Sequence, residues 1–198
     1  STSGNMEITS SILVQNNVFH NFDIIIKNNS TLTFTGGAIM SMGAGNKIII
    51  EPGSKLVIDN ATVTSGCGSY WAGIEVWGDK TKSQYPSTNQ GVVQVINGGT
   101  IRNAETAIKA IGINANGSFD WNKTGGIVQL DGAKLINNNF GVWIGAYHSY
   151  FGNTEKANAS YIKNSHFEFN NNMLVGHTGF THIGLFSIGR LNILGNDF

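Results

Sequence analysis

The sequence predicts an all-β chain wound as a single right-handed parallel β-helix, and three observations predict it. The first is a near-repeat at tight spacing: residues 24–34 read IIIKNNSTLTF, and residues 48–58 read IIIEPGSKLVI, 24 residues on. The second is a wider repeat. Gly73-Ile74-Glu75-Val76-Trp77-Gly78, Ala107-Ile108-Lys109-Ala110-Ile111-Gly112 and Gly141-Val142-Trp143-Ile144-Gly145 begin 34 residues apart. The third is composition: 26 Gly against 2 Pro, with Asn runs at 28–29, 137–139 and 170–172. Repeats of about 20–50 residues mark solenoids, propellers or arrays. Short β-branched units between turn formers are strands rather than helix pairs. Gly and Asn tolerate the left-handed backbone that frequent sharp corners require.

Taken in order, residues 1–22 are an N-terminal lead-in or cap, with apolar Ile12-Leu13-Val14 and Val18-Phe19. A first rung without cover would expose the core. Residues 23–198 form one coil domain, a fragment of a longer chain. Between 23 and 65 lie two tight turns, with Asn28-Asn29-Ser30 and Glu51-Pro52-Gly53-Ser54 at the same corner. Leu32-Thr33-Phe34 and Leu56-Val57-Ile58 are their second strands; Gly37-Ala38-Ile39 and Ala61-Thr62-Val63 are their third. From 66 the turns lengthen to about 34 residues: Gly91-Val92-Val93-Gln94-Val95 matches Gly126-Ile127-Val128-Gln129-Leu130, and Ile101-Arg102-Asn103 matches Leu135-Ile136-Asn137. Tyr161 to Phe167 continues the series. Leu191 to Phe198 starts another turn, with Gly195-Asn196-Asp197-Phe198 at the phase of Asn164-Ser165-His166-Phe167. No segment has a helical period, and Arg102 to Ala110 fits the strand repeat better. Disorder is excluded by a 40% hydrophobic content that recurs in register.

Charge narrows the function classes. Charged residues are 12% of the chain and balance to zero. No basic stripe follows a phosphate backbone, so nucleic acid is not an expected partner, nor is an anionic membrane surface. No apolar run approaches the roughly 18 residues of a membrane span. Ser1-Thr2-Ser3-Gly4 is polar and is not a signal peptide. The single Cys67 is expected to be a small buried or semi-buried residue.

Ile48-Ile49-Ile50-Glu51-Pro52-Gly53-Ser54-Lys55-Leu56 and the stretch from Gly66 to Gly78 carry a resemblance. They resemble the β-helix modules of large secreted and cell-surface proteins of Bacteroidota, which are themselves similar to pectin-lyase-like right-handed β-helices. The resemblance covers nearly the whole chain, without a sorting domain. It implies fold and export, hence an extracellular location, and is almost silent on activity.

The step from 24 to 34 residues leaves about 10 residues per turn to bulge out, at 79–90, 112–125, 145–160 and 176–183. Stacked turns would set these loops side by side as one lateral wall, the usual binding face of a repeat protein. The wall carries aromatics and amides, among them Tyr85, Trp121, Asn122, Tyr147, Tyr150 and Asn153. Aromatic faces beside amides suit sugar rings, though the same aromatics can instead fold back to pack the loops. Trp77 and Trp143, one position out of the 34-residue register, are expected to pack in the core or against the flank.

A glycoside hydrolase of this shape needs two clustered carboxylates. The acids are scattered here, and no Asp-Asp pair occurs. A lyase needs an Asp-rich calcium site and a base, and Arg102 and Arg190 sit in no matching motif. Glu75 and Lys109 fall at equivalent positions of adjacent turns and predict a ladder salt bridge. His177 and His182 share one loop, but no third ligand is placed, so neither metal nor cofactor is expected. The Asn-x-Ser/Thr sequons at Asn28, Asn29, Asn60, Asn116, Asn122 and Asn158 are what this composition gives by chance.

These observations favour a non-catalytic structural or adhesive module that contacts polysaccharide through the wall. A polysaccharide lyase or hydrolase is the first alternative. An end-to-end assembly subunit is the second, since strand edges after Phe198 could be met by neighbouring β-helix turns or modules.

Overall fold

A computed structural model describes residues 4–198. The first three residues of the lead-in, and of the polar start at Ser1, lie outside the described residues. The chain coils as a parallel β-helix with three sheets of seven, seven and six strands. The first sheet stacks Asn5–Ile8, Asp23–Ile26, Lys47–Ile50, Trp71–Val76, Ala104–Ala110, Phe140–Ile144 and Thr181–Leu185. The second stacks Ile12–Val14, Thr31–Phe34, Lys55–Asp59, Val92–Ile96, Ile127–Asp131, Tyr161–Lys163 and Asn192–Leu194. The third stacks Val18–His20, Ile39–Met42, Thr62–Ser65, Thr100–Arg102, Lys134–Ile136 and His166–Glu168. Residues 5–20 thus supply a strand to each sheet and form the first turn of the coil.

Alternation of side chains builds the core. Asp23–Ile26 and Thr31–Phe34 each bury every second residue, as a strand with one face inward must. Across the first sheet Ile24, Ile48, Ile74, Ile108 and Val142 pair in one inward column that ends at Ile183. Leu32, Leu56, Val93 and Val128 form the matching column of the second sheet. Val63, Ile101, Leu135 and Phe167 form that of the third. All three meet in one apolar cluster. Each such side chain taken out of water contributes about 1.5–3 kcal/mol.

Corners belong to asparagine. Asn28, Asn29, Asn60, Asn97, Asn103, Asn137 and Asn164 all have positive φ, between 46° and 59°. Their side chains tie turn to turn. The Asn170 amide N–H donates to Asn137 Oδ1 at 2.8 Å, and Asn137 Nδ2 donates to Asn170 Oδ1 at 2.7 Å. Asn138 Nδ2 donates to the Ile101 carbonyl at 3.0 Å while its Oδ1 accepts from Ala104 N–H at 2.9 Å. Side chains that copy the ladder keep the backbone satisfied where the sheets break.

The coil widens at Gly73, which has φ +102° and sits where the register slips between Gly73 and Ile74. A Cβ there would run into the Thr106 carbonyl. Loops at 77–91, 111–126 and 145–160 then join the first sheet to the second. The fourth bulge is not at 176–183 on that wall. In the last turn the long loop is 169–180, between the third and first sheets, and the wall-side loop is the short 186–191. Its phase changes because Phe169, His177, Phe180 and His182 pack on one another and pull the loop over the other corner.

Candidate functional site

The three wall loops are tied together before they present anything to solvent. Gln84, buried, is the tie. Its Nε2 donates to the Gly125 carbonyl at 3.1 Å, its Oε1 accepts from Ala159 N–H at 2.8 Å, and its own N–H reaches Ser149 Oγ at 3.4 Å. Tyr147 is buried beside it and donates its hydroxyl to the Lys82 carbonyl at 2.6 Å. Burial pushes the Tyr147 phenol above its ordinary range, against the opposing pull of hydrogen bonds from Ser149 and Gln84. Gln90 closes the base of the first loop through the Asp79 and Lys82 carbonyls. The result is a ridge with two flanks, not one flat wall.

On the first-sheet flank, Gly112–Ile113 and Phe119–Asp120 form a short antiparallel ribbon that folds back over the sheet. Glu75 anchors it. This carboxylate is buried, accepts from Ile113 N–H at 3.3 Å and Trp77 Nε1 at 2.9 Å, and pairs with Lys47 Nζ at 2.8 Å. The fold-back lays Phe119 on Trp143, with ring centroids 4.5 Å apart and planes 20° apart. Trp121 meets Trp143 edge-on at 6.3 Å and Phe186 at 5.7 Å. Trp121 is 44% exposed and Phe186 55%. Lys123 Nζ lies 3.4 Å above the Trp77 ring. Beside the stack is a hollow of about 230 Å³ lined by Thr106, Lys109, Phe119, Phe140 and Trp143. A second, of about 320 Å³, is lined by Lys80, Trp121, Thr124, Ala146, Tyr147 and His148. Burial holds the Lys109 ammonium below its ordinary pKa, with Glu75 pulling the other way.

On the second-sheet flank a groove of about 460 Å³ runs between the loops and the outward face of the strands. Tyr85, Gln129, Tyr161, Lys163, Arg190 and Asn192 are among its lining. Tyr85 donates its hydroxyl to the Ala157 carbonyl at 3.2 Å, which spans the gap between two loops.

The predicted wall residues therefore separate. Trp121 and Asn122 lie on the first-sheet flank, where the Asn122 backbone N–H donates to Asp120 Oδ1 at 3.1 Å and Asp120 caps the short turn. Tyr85 lies on the other. Tyr150 and Asn153 are exposed on the ribbon Tyr150–Phe151 with Thr154–Glu155, where the Tyr150 ring stacks over His148 at 6.5 Å. Tyr147 is a correction: its ring is enclosed because Gly125 leaves the space it occupies. Composition and loop length missed Trp143, Phe186, Tyr161, Lys163 and Arg190. Trp143 and Tyr161 could have been found by parity, since each falls in an outward column, with Glu75 and Lys109 or with Gln129 and Asn192.

Two further expectations are corrected, and the two loop histidines are placed. Glu75 and Lys109 do lie opposite each other, but Glu75 takes Lys47 as its ion-pair partner, since Lys47 Nζ comes within 2.8 Å of Oε1. Cys67 is exposed at the 66–70 corner. His177 and His182 are spent on packing: His182 stacks on Phe169 at 4.4 Å and His177 meets the same ring edge-on at 5.4 Å. Among the described residues no three His, Cys, Asp or Glu side chains are grouped to hold a metal. Neither flank's hollows count a carboxylate among their lining residues. The Glu155 carboxylate is engaged at 2.8 Å by His148 Nδ1. Comparison with protein-family models, with curated proteins and with solved structures finds no match to this chain.

Proposed function

We propose that this chain is a non-catalytic β-helix module that holds polysaccharide on its first-sheet flank. The observation that carries this reading is the half-exposed stack of Phe119, Trp121, Trp143 and Phe186 on a rigid coil. The C–H faces of sugar rings stack on such aromatics, and hydroxyls need polar partners of the kind Lys109, Thr106 and Lys80 supply. Large exposed apolar patches on soluble folds mark interaction sites. Rigidity also matters, because loops tied through Gln84 lose little freedom when a ligand docks. The module fits an exported surface protein of the Bacteroidota kind, with a pectin-lyase-like coil as stalk and the flank as adhesive face.

Binding to an array of neutral polysaccharides tests this. The wild-type chain is expected to bind at least one. Trp121→Ala should weaken that binding tenfold or more, about 1.4 kcal/mol. No binding to any glycan would remove the adhesive part. Release of reducing ends or of unsaturated products from a bound glycan would replace it with the enzymatic reading, whose hydrolase form requires paired carboxylates that are not among the lining residues of these hollows.

A further inference from the structure

We propose that the groove over the second sheet is a separate site for an acidic glycan, one bearing carboxylate or sulfate groups. It extends the reading of these loops as glycan-contacting, but it uses the opposite flank and a different chemistry.

Charge is the first argument. The groove is lined by Lys163 and Arg190 and by no Asp or Glu. Among the described residues, neither cation comes within 4.0 Å of a carboxylate. Lys163 Nζ instead hovers 4.7 Å from the Tyr161 ring centroid. Arg190 spends one N–H on the Glu155 carbonyl at 3.0 Å, which leaves the rest of its fork unused. Asp131 is the cross-strand neighbour of Lys163, but its Oδ1 accepts from Asn164 Nδ2 at 2.9 Å and it is not part of the lining. A free guanidinium is the side chain best shaped for a carboxylate or sulfate.

Unmet donors are the second. Asn158 also lines the groove and is 7% exposed. Its Oδ1 accepts from Ser160 N–H at 2.9 Å, while its Nδ2 is sealed from solvent and finds no acceptor. It adjoins Arg190, whose carbonyl accepts from the Asn158 N–H at 3.2 Å. Lys163 and the unused part of the Arg190 fork set cationic donors on one groove, which suits a ligand rich in acceptors.

Spacing is the third. Gln129, Tyr161 and Asn192 are register partners on successive strands and share the outward column. An amide, a ring and an amide thus climb the coil at the inter-strand step of about 4.8 Å. That step is comparable to the length of one pyranose unit, so a chain laid along the coil axis meets a polar or aromatic group at each sugar.

Isothermal titration tests the proposal with four probes: an oligogalacturonate, a sulfated dextran oligosaccharide, a neutral dextran oligosaccharide and poly-L-glutamate of matched charge. At least one anionic glycan should bind, more tightly than the neutral glycan and than poly-L-glutamate. Lys163→Gln with Arg190→Gln should weaken it tenfold or more, and so should raising salt from about 0.05 to 0.5 M. Lys163→Gln alone, which removes no hydrogen bond, should give a smaller loss in the same direction. Preference for the carboxylated or the sulfated probe identifies which anion the groove takes. The proposal is overturned if neither anionic glycan binds, if poly-L-glutamate binds as tightly, or if the charge variants bind unchanged. Acidic-glycan binding that falls in Trp121→Ala but not in the charge variants would place that ligand on the other flank. Neutral-glycan binding lost in Trp121→Ala, with no acidic binding anywhere, overturns this inference and leaves the proposed function standing.

Discussion

The tight turns at 23–65 and the wide turns from 66 onward share one core and differ in everything outside it. Ile50 and Ile144 occupy the same inward column, and both are sealed from solvent. Outside, the first-sheet column reads Ile25 and Ile49 in the tight half, then Glu75, Lys109 and Trp143 in the wide half. The second-sheet column reads Thr33 and Val57, then Gln94, Gln129, Tyr161 and Asn192. Chemistry is added where loops are added, and the strand pairing beneath stays parallel throughout, with one register slip at Gly73/Ile74. A parallel coil permits this, because each turn needs only its own three strands to match its neighbours.

If the core is shared, equal damage should cost the same in both halves. Ile50→Ala and Ile144→Ala are each expected to cost about 2–5 kcal/mol. Denaturant unfolding reads this, and a difference beyond about 1.5 kcal/mol would mean that the wide turns pack differently.

A smaller effect should be confined to one half. Gln84→Ala removes the two side-chain hydrogen bonds that tie the first loop to the other two, at about 1–3 kcal/mol. Amide exchange should quicken in 77–91, 111–126 and 145–160 and stay unchanged in 23–65. Equal quickening in both halves would show that the loops hold up the coil rather than ride on it.

The smallest effect is one of pH. Burial lowers the His182 pKa, and nearby His166 adds to the shift. The unfolded chain then binds a proton more readily than the folded one, so the stability His182 contributes is present at neutral pH and falls as pH drops through about 6.5. Melting temperatures from pH 7.5 to 5.5 should fall for the wild type and less for His182→Phe. The first turn of the coil, ahead of the tight turns, carries His20, whose pKa burial also lowers, so His20→Phe should blunt part of the same fall.

The coil was legible because repetition exposes it: Ile24, Ile26 and Leu32 recur as Ile48, Ile50 and Leu56, and the remaining core position exchanges Phe34 for Ile58. The turn from Gly195 to Phe198 was equally readable, and Phe198 stacks on Phe167 with centroids 5.2 Å apart. Loop phase failed once, at 169–180, because loop length does not say which corner a loop leaves. The surface was less legible. Tyr147 and Trp121 are both loop aromatics by sequence, yet one is sealed and one is open, and long-range bonds from Gln84 and Lys82 decide between them. Lys47 took the place expected for Lys109 for a similar reason, since a flexible side chain chooses its partner by reach rather than by register.

The most direct test is a hydrogen-exchange footprint of the chain with and without a bound neutral glycan. Protection is predicted in 111–126, around Trp143 and around Phe186, with no change in 23–65. Protection in 23–65, or none on the first-sheet flank despite saturating glycan, would contradict the account.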